Sequence, residues 1–512
     1  MRTKNSIKNI VVGIMTQLIM VIIGFVSRRV FVDILGYEML GINQLFISII
    51  SMLSLTEFGI GTAIICKLYK PLADNDEHQV KALIQFFKKT YRFIALTIIG
   101  LGAVVTPFLK VFIKEDIGQP FLIGVFVLFL IDAILPYFFA HKRNLIFADQ
   151  KNYIVSLVSS GSTILASAAQ IALLILTKNY ILFLSIKIVI RLIENVILTQ
   201  IANRKYPYIR SVGHISLDRD TRKDIASNTK ALSLHYIGNY LINGTDSIII
   251  SSFLGALING YYANYSLIIT TLTTLLNQFS IGLLASFGNM ISIETKEKSY
   301  DVFERVNFVN YVIYQFAAIS LLCLINPFIA IWINDESVLS IPTVIVLSLN
   351  FYIVGISGML GSIRASAGIF RPDRYLHLMM AALNIVVSIV LVKVIGIIGV
   401  FIGTMLCLLI KEVSVLPSIV YREIFCVRVR EYYKDLAVYF FTTFFTGAIA
   451  MYICTTMITG GGIPWLLVRL AVCIIIPNGV VVILFRKTRE YKYTCDLLSD
   501  LLLRFKKILK AN

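Results

Sequence analysis

The sequence lacks the short motifs with which many soluble enzymes bind metals and nucleotides. Its 512 residues include only five histidines and seven cysteines, and no two cysteines form a C-x-x-C pair. No G-x-x-x-x-G-K-[ST] loop occurs, so the chain has no P-loop of its own. Neither H-E-x-x-H nor G-x-S-x-G is present. We therefore expect no metal site and no cofactor, and we interpret the cysteines as reduced packing residues. The D-x-D of Asp218 to Asp220 is expected to be solvated surface.

Charge is also scarce, because 15% of the residues are charged and 57% are hydrophobic. The mean hydropathy of +0.82 exceeds what soluble cores can hide. Apolar stretches of about twenty residues recur, long enough to cross ~30 Å of hydrocarbon. The pattern predicts an all-α polytopic membrane protein with about fourteen transmembrane helices. The predicted spans are 9–32, 40–66, 93–113, 119–140, 154–177, 180–202, 231–254, 259–289, 307–332, 338–362, 377–394, 396–420, 434–457 and 463–485.

The net charge of +18 comes from basic residues placed on alternate loops. They concentrate in 67–92, 141–151, 204–230, 296–305, 364–374 and 422–434. The loops that alternate with these segments carry almost no basic residues. This distribution follows the positive-inside rule and predicts that both termini are cytoplasmic. It also accounts for the basic character without nucleic-acid binding. No signal-peptide cleavage site follows the first apolar stretch, so we expect that span to be retained.

The spans divide into two sets of six and a final pair. We predict an N-terminal six-helix bundle (1–203), a cytoplasmic linker (204–230), a C-terminal six-helix bundle (231–425), helices 13 and 14 (426–485) and a basic amphipathic cytoplasmic tail (486–512). Leu35-Gly36 followed by Gly41 is echoed by Leu254-Gly255 followed by Gly260. Since each set has an even number of spans, this echo predicts parallel repeats around a central cavity.

Cations inside apolar spans are candidates for substrate binding, because an intramembrane charge is costly. Arg28 and Arg29 lie in the outer half of the first span, and being adjacent they cannot both face one cavity. Lys187, Arg191 and Glu194 share one face of the sixth span. We interpret them as a basic wall with Glu194 orienting Arg191. The alternative is a local Arg191–Glu194 ion pair that only neutralises itself.

Three carboxylates, Glu57, Asp132 and Asp246, lie well inside predicted spans. An isolated carboxylate in this setting is suited to proton or sodium coupling, although each could instead be the partner of an arginine. Glu57 is favoured first, because glycines follow it, and Asp246 second. Asn243 and Thr245 lie within one turn of Asp246 and form a polar patch able to bind a sugar or a phosphate.

Several motifs together resemble Wzx-type polysaccharide flippases, especially those of Gram-positive capsule clusters. In the first half they are Phe25-Val26-Ser27-Arg28-Arg29, Ser54-Leu55-Thr56-Glu57-Phe58-Gly59 and Leu68-Tyr69-Lys70-Pro71-Leu72-Ala73. In the second half they are Thr245-Asp246 before Ile248-Ile249-Ile250, and Phe287-Gly288-Asn289-Met290-Ile291. The family belongs to the multidrug/oligosaccharidyl-lipid/polysaccharide exporter superfamily. The resemblance implies two six-helix bundles in a V around a central cavity, with two helices appended.

The resemblance also implies a function in the bacterial cytoplasmic membrane. The expected substrate is an undecaprenyl-diphosphate-linked oligosaccharide, flipped to the outer leaflet for capsule or other surface polysaccharide. Expected partners are this lipid-linked substrate, membrane lipids and other polysaccharide assembly proteins. Lipid II or a teichoic-acid precursor is an alternative substrate. A multidrug exporter is less favoured because cationic drugs need acidic cavities. A membrane polymerase or glycosyltransferase is disfavoured by the short external loops.

Overall fold

The computed structural model describes residues 2–57, 60–210, 215, 217–369, 372–373, 375–497 and 499. Within these ranges it describes the side chains of all residues except 2–16, 18, 56, 62, 210, 226–228, 230–236, 239, 243, 279–286, 288–289 and 292. Residues 500–512 of the predicted tail therefore lie outside the described residues. The chain forms two compact units, Met1–Ala263 and Asn264–Asn512.

The first unit is built from helices. They are α1 (Arg2–Leu53), α2 (Ile60–Ala73), α3 (Glu77–Val105), α4 (Leu109–Phe112), α5 (Gln119–Ile134), α6 (Ala140–Ala148), α7 (Asn152–Thr177), α8 (Tyr180–Lys205), α9 (Arg219–Gly244), α10 (Asp246–Leu254) and the start of α11 (Ala256–Ile293). Single 3₁₀ turns occur at Ser54–Glu57, Thr106–Phe108, Leu135–Phe138 and Pro207–Arg210.

The second unit is also helical. Its helices after α11 are α12 (Lys296–Trp332), α13 (Ile341–Ser366), α14 (Leu376–Ile395), α15 (Ile397–Leu408), α16 (Leu416–Val420), α17 (Val429–Tyr452), α18 (Ile463–Phe485) and a last helix over 489–497. Three π-helical segments, Leu409–Val415, Tyr421–Phe425 and Ile453–Met457, widen the ends of α15, α16 and α17. A 3₁₀ turn lies at Asp335–Ser337. The described part of the chain contains no strand, which confirms the predicted all-α class.

Nine helical segments of the described chain are long and apolar enough to cross a membrane. They are Glu77–Phe112, Gln119–Phe138, Asn152–Thr177, Lys296–Trp332, Ile341–Ser366, Leu376–Ile395, Ile397–Phe425, Val429–Met457 and Ile463–Phe485. Helix α8 is not among them because it carries Lys187, Arg191 and Glu194 in its interior. The multi-pass membrane class is thus established, while the number of fourteen spans and the repeat arrangement stay predictions.

Two predicted spans are interrupted. The span 40–66 contains the end of α1, the 3₁₀ turn Ser54–Glu57 and the start of α2. The span 231–254 breaks at Thr245, between α9 and α10. Breaks of this kind inside transporter helices often mark ligand or ion sites. Both breaks lie beside residues that the sequence singles out, Glu57 and Asp246.

The glycine echo marks a close contact within the first unit. Gly36 and Gly255 have φ values of +80° and +94°, which a residue without a Cβ adopts readily. At Gly36 the backbone is not helical, so α1 consists of two helices joined by a kink at this residue. A Cβ at Gly41 would lie 1.8 Å from the oxygen of Ala256, and one at Gly260 would lie 2.1 Å from a backbone oxygen of α1. The start of α11 therefore crosses α1 with the two backbones touching, which only glycine permits at these positions.

The turn between α7 and α8 fixes the register of the charged face. Lys178 ends α7 in the left-handed conformation, and the Asn179 side chain caps α8 by accepting hydrogen bonds from the backbone N–H groups of Ile181 and Leu182. The buried Gln170 amide donates to the carbonyl of Phe183 at 2.9 Å. Because both helices are tied at this end, the residues further along α8 have defined neighbours on α7 and α5.

Candidate functional site

The first unit contains a group of charges that joins α5 and α8. Asp132 lies near the end of α5, and Lys187 and Arg191 lie one turn apart on α8. Lys187 Nζ is 3.0 Å from Asp132 Oδ2, and Arg191 Nη1 is 2.8 Å from Asp132 Oδ1. Arg191 Nη1 also donates a hydrogen bond to the Asp132 carbonyl at 3.0 Å. A single carboxylate thus holds two cations from another helix.

This geometry corrects the expectation that Asp132 is an isolated carboxylate. No basic residue lies within one turn of it on its own helix, which is all that sequence spacing reveals. Its cations come from α8, more than fifty residues later. Both carboxylate oxygens of Asp132 thus lie against fixed positive charges, which repel a further cation. Asp132 is therefore placed to position Lys187 and Arg191.

Glu194 takes part in a second contact group, formed with α6 and α7. Ser159 donates to Glu194 Oε1 at 2.6 Å, and Arg143 Nη2 donates to Ser159 Oγ at 3.3 Å. Arg143 Nη1 lies 3.9 Å from Glu194 Oε1. Both the expected orientation of Arg191 by Glu194 and the alternative local pair are therefore wrong. Lys187, Arg191 and Glu194 instead each find a partner on a neighbouring helix.

The two groups together, here called the basic cluster, consist of Asp132, Arg143, Lys187, Arg191 and Glu194. Three cations face two carboxylates, so one positive charge is in excess. The carboxylate side chains are 14% and 12% exposed, whereas those of the three cations are 34–40% exposed. The anions are thus largely covered and the cations remain accessible, which is the arrangement expected of a surface that receives an anionic ligand.

The two arginines of the first span have different surroundings. Arg29 Nε lies 2.8 Å from the Asp33 carboxylate, one turn along α1. The Nη1 atom of Arg28 is buried and has no hydrogen-bond partner among the described residues. A buried unpaired guanidinium nitrogen is costly. Arg28 is therefore the stronger ligand candidate of the two, in agreement with the prediction that adjacent residues cannot serve one cavity.

Glu57 belongs to a hydrogen-bonded chain of neutral groups. The buried Tyr91 hydroxyl donates to Glu57 Oε1 at 3.2 Å, and the Asn144 amide donates to the Tyr91 oxygen at 3.3 Å. Gly61 allows this approach, because a Cβ there would lie 2.8 Å from the Tyr91 hydroxyl. Burial, helped by neighbouring cations, lowers the pKa of His141 on the same short helix as Asn144 to about 3, so this imidazole is neutral. Gly59 lies outside the described residues.

Asp246 and Thr245 lie at the break between α9 and α10, and both are buried, at 5% and 6% exposure. The Thr245 hydroxyl donates to the carbonyl of Leu241 at 2.9 Å. Asp246 is the first residue of α10, where the helix dipole stabilises a negative charge. The Asn243 side chain lies outside the described residues, so the predicted polar patch is described only in part.

Sequence reasoning missed Arg143, Ser159 and Tyr91. Arg143 and the cations beside Tyr91 belong to the basic loop segments, which the positive-inside rule already explains, and Ser159 lies in an uncharged stretch of α7. Their roles depend on contacts between helices that are 16 to 53 residues apart. The described residues also gather three cysteines of the second unit, which the spacing of the sequence did not indicate.

Solved structures with the same fold belong to membrane transporters. The chain is similar to "Lipid II flippase MurJ, inward closed conformation", with a TM-score of 0.68, 13% identity, and coverage of 93% of this chain and 99% of that chain. It is also similar to an inward-facing multidrug resistance MATE family transporter of the MOP superfamily, with a TM-score of 0.61, 13% identity, and coverage of 77% and 93%. At these identities the likeness shows the fold. No curated protein sequence gives a match.

The family is shown by a separate comparison. The sequence model described as "Polysaccharide biosynthesis protein" matches residues 6–287, which is more than half of the chain. This match confirms the resemblance drawn from the motifs around Arg28, Glu57 and Thr245. The family and the fold are those of flippases and transporters. The chain therefore belongs to the polysaccharide biosynthesis protein family and is a multi-pass membrane protein with a flippase-type fold.

Proposed function

We propose that this chain flips undecaprenyl-diphosphate-linked oligosaccharide repeat units from the cytoplasmic to the outer leaflet of the bacterial cytoplasmic membrane, for capsule or other surface polysaccharide. The observation that carries the proposal is the pair Lys187 and Arg191, both held by Asp132 and both partly exposed. A diphosphate is anionic, and guanidinium groups bind it through two parallel hydrogen bonds. In its described contacts Arg191 uses Nη1, and its other N–H groups can meet phosphate oxygens.

Arg28 adds a further cation to the proposed binding surface of Lys187 and Arg191. Phe31, one turn further along α1, packs against Phe183 of α8 with ring centroids 5.4 Å apart. On the predicted topology α1 and α8 run in opposite directions. At 1.5 Å per residue, Arg28 lies about 4.5 Å below that contact and Lys187 about 6 Å below it. The unpaired guanidinium of Arg28 and the ammonium of Lys187 are thus at nearly the same depth in the bilayer.

The remaining assignments complete the proposal. Both termini are cytoplasmic, and membrane lipids and other polysaccharide assembly proteins are the partners. Substrate movement is coupled to protons or sodium at Glu57, with Asp246 as the second choice. Glu57 is favoured because its described partners, Tyr91 and Tyr137, are hydroxyls, and because it lies beside an interruption of the helix.

A flippase for lipid II or a teichoic-acid precursor is the second candidate. The similar fold of a lipid II flippase favours it, and its substrate carries the same diphosphate. The excess positive charge of the basic cluster argues against a cationic drug as cargo. The two candidate glycolipid substrates differ in their sugars, so measuring the transfer rate of each one distinguishes the two functions.

The test uses the purified chain in proteoliposomes with a fluorescent undecaprenyl-diphosphate-linked oligosaccharide, its transfer between leaflets measured by quenching from outside. Arg191→Ala is expected to lower the initial rate at least about tenfold, since one charge-assisted hydrogen bond is lost. Arg191→Lys should keep part of the rate if charge alone suffices and little if the guanidinium fork is needed. Arg222→Ala removes an exposed cation of α9 and serves as the control, with a wild-type rate expected.

Three results would contradict the proposal. A wild-type rate in Arg191→Ala would remove the basic cluster from substrate binding. Faster transfer of lipid II than of the oligosaccharide repeat unit would favour the second candidate. Export of a cationic drug from cells, without transfer of either glycolipid, would replace both with a drug exporter.

A further inference from the structure

Three cysteines meet in the interior of the second unit. Cys323 lies on α12, Cys454 on the π-helical segment after α17, and Cys473 on α18. Their Sγ atoms all lie within 4.8 Å of one another. The side chains are buried, with exposures of 6%, 3% and 0%. Three separate helices therefore converge on one point with sulfur.

The local backbone around Cys454 is unusual. Ile453–Met457 is π-helical, a wider turn that is often found at functional sites. Such a turn leaves carbonyl groups without their usual helical partners. Arg469 meets this need, since Nε donates to the carbonyl of Cys454 at 3.3 Å and Nη2 donates to that of Ile458 at 2.6 Å. A positive charge is thus fixed beside the backbone of Cys454.

A cavity leads to the sulfur atoms. Its volume is about 260 Å³, and Cys323, Cys454, Asn326, Thr455 and Arg469 are among the residues that line it. Two of the three thiols therefore border a space large enough to admit a small ion or molecule. Thiols that serve only to pack apolar helices have no need of such a space or of a neighbouring cation.

We propose that Cys323, Cys454 and Cys473 form a three-coordinate site for monovalent copper, Cu(I). Thiolates are the soft ligands that select this ion. At a metal–sulfur distance of ~2.3 Å, three sulfurs in a trigonal plane are ~4.0 Å apart, so the observed cluster needs only a small contraction. Structural zinc sites take four ligands, and the metal-ligating group that the described residues gather here has three.

All three thiols lose their protons on binding, because the thiolate is the form that ligates a metal. Cu(I) with three thiolates carries two negative charges, and the guanidinium of Arg469 offsets one of them. The three protons pass to the solvent as copper is transferred from a soluble carrier or chelator. The bound ion would tie α12 to α17 and α18, which share the apolar cluster of Ile319, Ala450 and Ile458 with these cysteines.

The experiment is titration of the purified full chain with Cu(I), under reducing conditions, against a chromophoric copper(I) chelator. To remove surface thiols, the background carries Ser at the exposed Cys66, Cys426 and Cys495. One Cu(I) per chain is expected. Cys473→Ser should weaken binding by more than the ~10–100-fold that loss of an outer-shell partner costs. Cys407→Ser is the matched control, since this cysteine is equally buried but donates to the carbonyl of Met380.

A second measurement does not depend on the variants. X-ray absorption of the copper-loaded chain should show three sulfur neighbours, and the melting temperature should rise with Cu(I). Absence of stoichiometric copper, the same affinity in Cys473→Ser, or a shell of fewer than three sulfurs would overturn the proposal. Tight binding of Zn(II) with no binding of Cu(I) would overturn the assignment of the ion.

Discussion

The two units bury polar groups in opposite ways. In the first unit, Asp132 holds Lys187 and Arg191 across two helices. In the second, two buried amides make neutral contacts between helices: the Asn384 amide donates to Thr404 at 3.0 Å, and the Asn310 amide donates to the carbonyl of Gly355 at 2.9 Å. Neutral bonds between helices fix a structure without attracting an ion.

Some charges of the second unit, Lys411 and Arg469 among them, have partners close by in the chain. Lys411 Nζ lies 2.8 Å from the carboxylate of the adjacent Glu412, and Arg469 donates to carbonyls of the segment just before its own helix. The packing of α12 and α13 differs too, although Leu376–Ile395, Val429–Met457 and Ile463–Phe485 of the second unit are only 28%, 22% and 17% buried. The most apolar stretches of α12 and α13 are each 67% buried, against 28% for Gln119–Phe138 and 17% for Asn152–Thr177 in the first unit. We therefore assign the proposed contacts with the anionic substrate to the cations of the first unit, while the copper site proposed in the second unit would tie helices together.

The sharpest test of this comparison is an all-or-none labelling experiment. A cysteine at Glu336, in the second unit, should react with an impermeant maleimide added to intact cells, because the predicted topology places this exposed residue outside. A cysteine at Asp218, in the first unit, should react only after permeabilisation. Labelling of both positions, or of neither, in intact cells would overturn the fourteen-span topology on which the comparison of depths depends.

Removing both cations that Asp132 holds is expected to have the largest effect on transport. Lys187→Gln with Arg191→Gln should reduce the flipping rate about a hundredfold, because two charge-assisted contacts to the substrate are lost. The matched control in the second unit is Lys411→Gln with Glu412→Gln, which removes a buried pair as a whole and leaves no unpaired charge. The control is expected to keep the rate within about twofold of wild type. Equal losses in both variants, at equal amounts in the membrane, would erase the difference between the units.

The two adjacent arginines of α1 offer a finer test within the first unit. Arg28→Gln should lower the flipping rate about tenfold, since a cation at the depth of Lys187 is lost. Arg29→Gln, which breaks the exposed contact with Asp33, should change it by less than about twofold. Flipping rates in proteoliposomes give the ratio directly. The reverse order of effects would mean that Arg29, and not Arg28, faces the substrate.

The sequence predicted the helices of this protein more readily than the contacts between them. Hydrophobic length and loop charge predict membrane helices, and the positive-φ turns at Gly36 and Gly255 follow from Leu-Gly pairs visible in the sequence. The face shared by Lys187, Arg191 and Glu194 also follows from helical spacing. All of these features depend on residues within a few turns of one another.

The pairing of those charges could not be predicted in the same way. Asp132 lies 55 residues before Lys187, and Ser159 lies 35 residues before Glu194. Each contact depends on which helices are neighbours and on how they are rotated, and spacing along one helix contains neither. The meeting of Cys323, Cys454 and Cys473 escaped notice for the same reason, because no two of them lie within 18 residues.

The smallest effect is expected at Glu57, the favoured coupling residue. Its described partners are the hydroxyls of Tyr91 and Tyr137, so a coupling ion can bind there without first breaking an ion pair. Gln keeps an oxygen that can accept from Tyr91 but cannot titrate. Glu57→Gln should therefore leave flipping in the absence of a gradient unchanged, while the few-fold stimulation expected from a pH or sodium gradient falls to about one. Tyr91→Phe removes the Tyr91 hydroxyl and keeps the Glu57 carboxylate, so this variant should retain the stimulation. If Glu57→Gln responds to the gradient as wild type does and Asp246→Asn does not, coupling belongs to the break at Thr245, where the α10 dipole already favours the charged carboxylate.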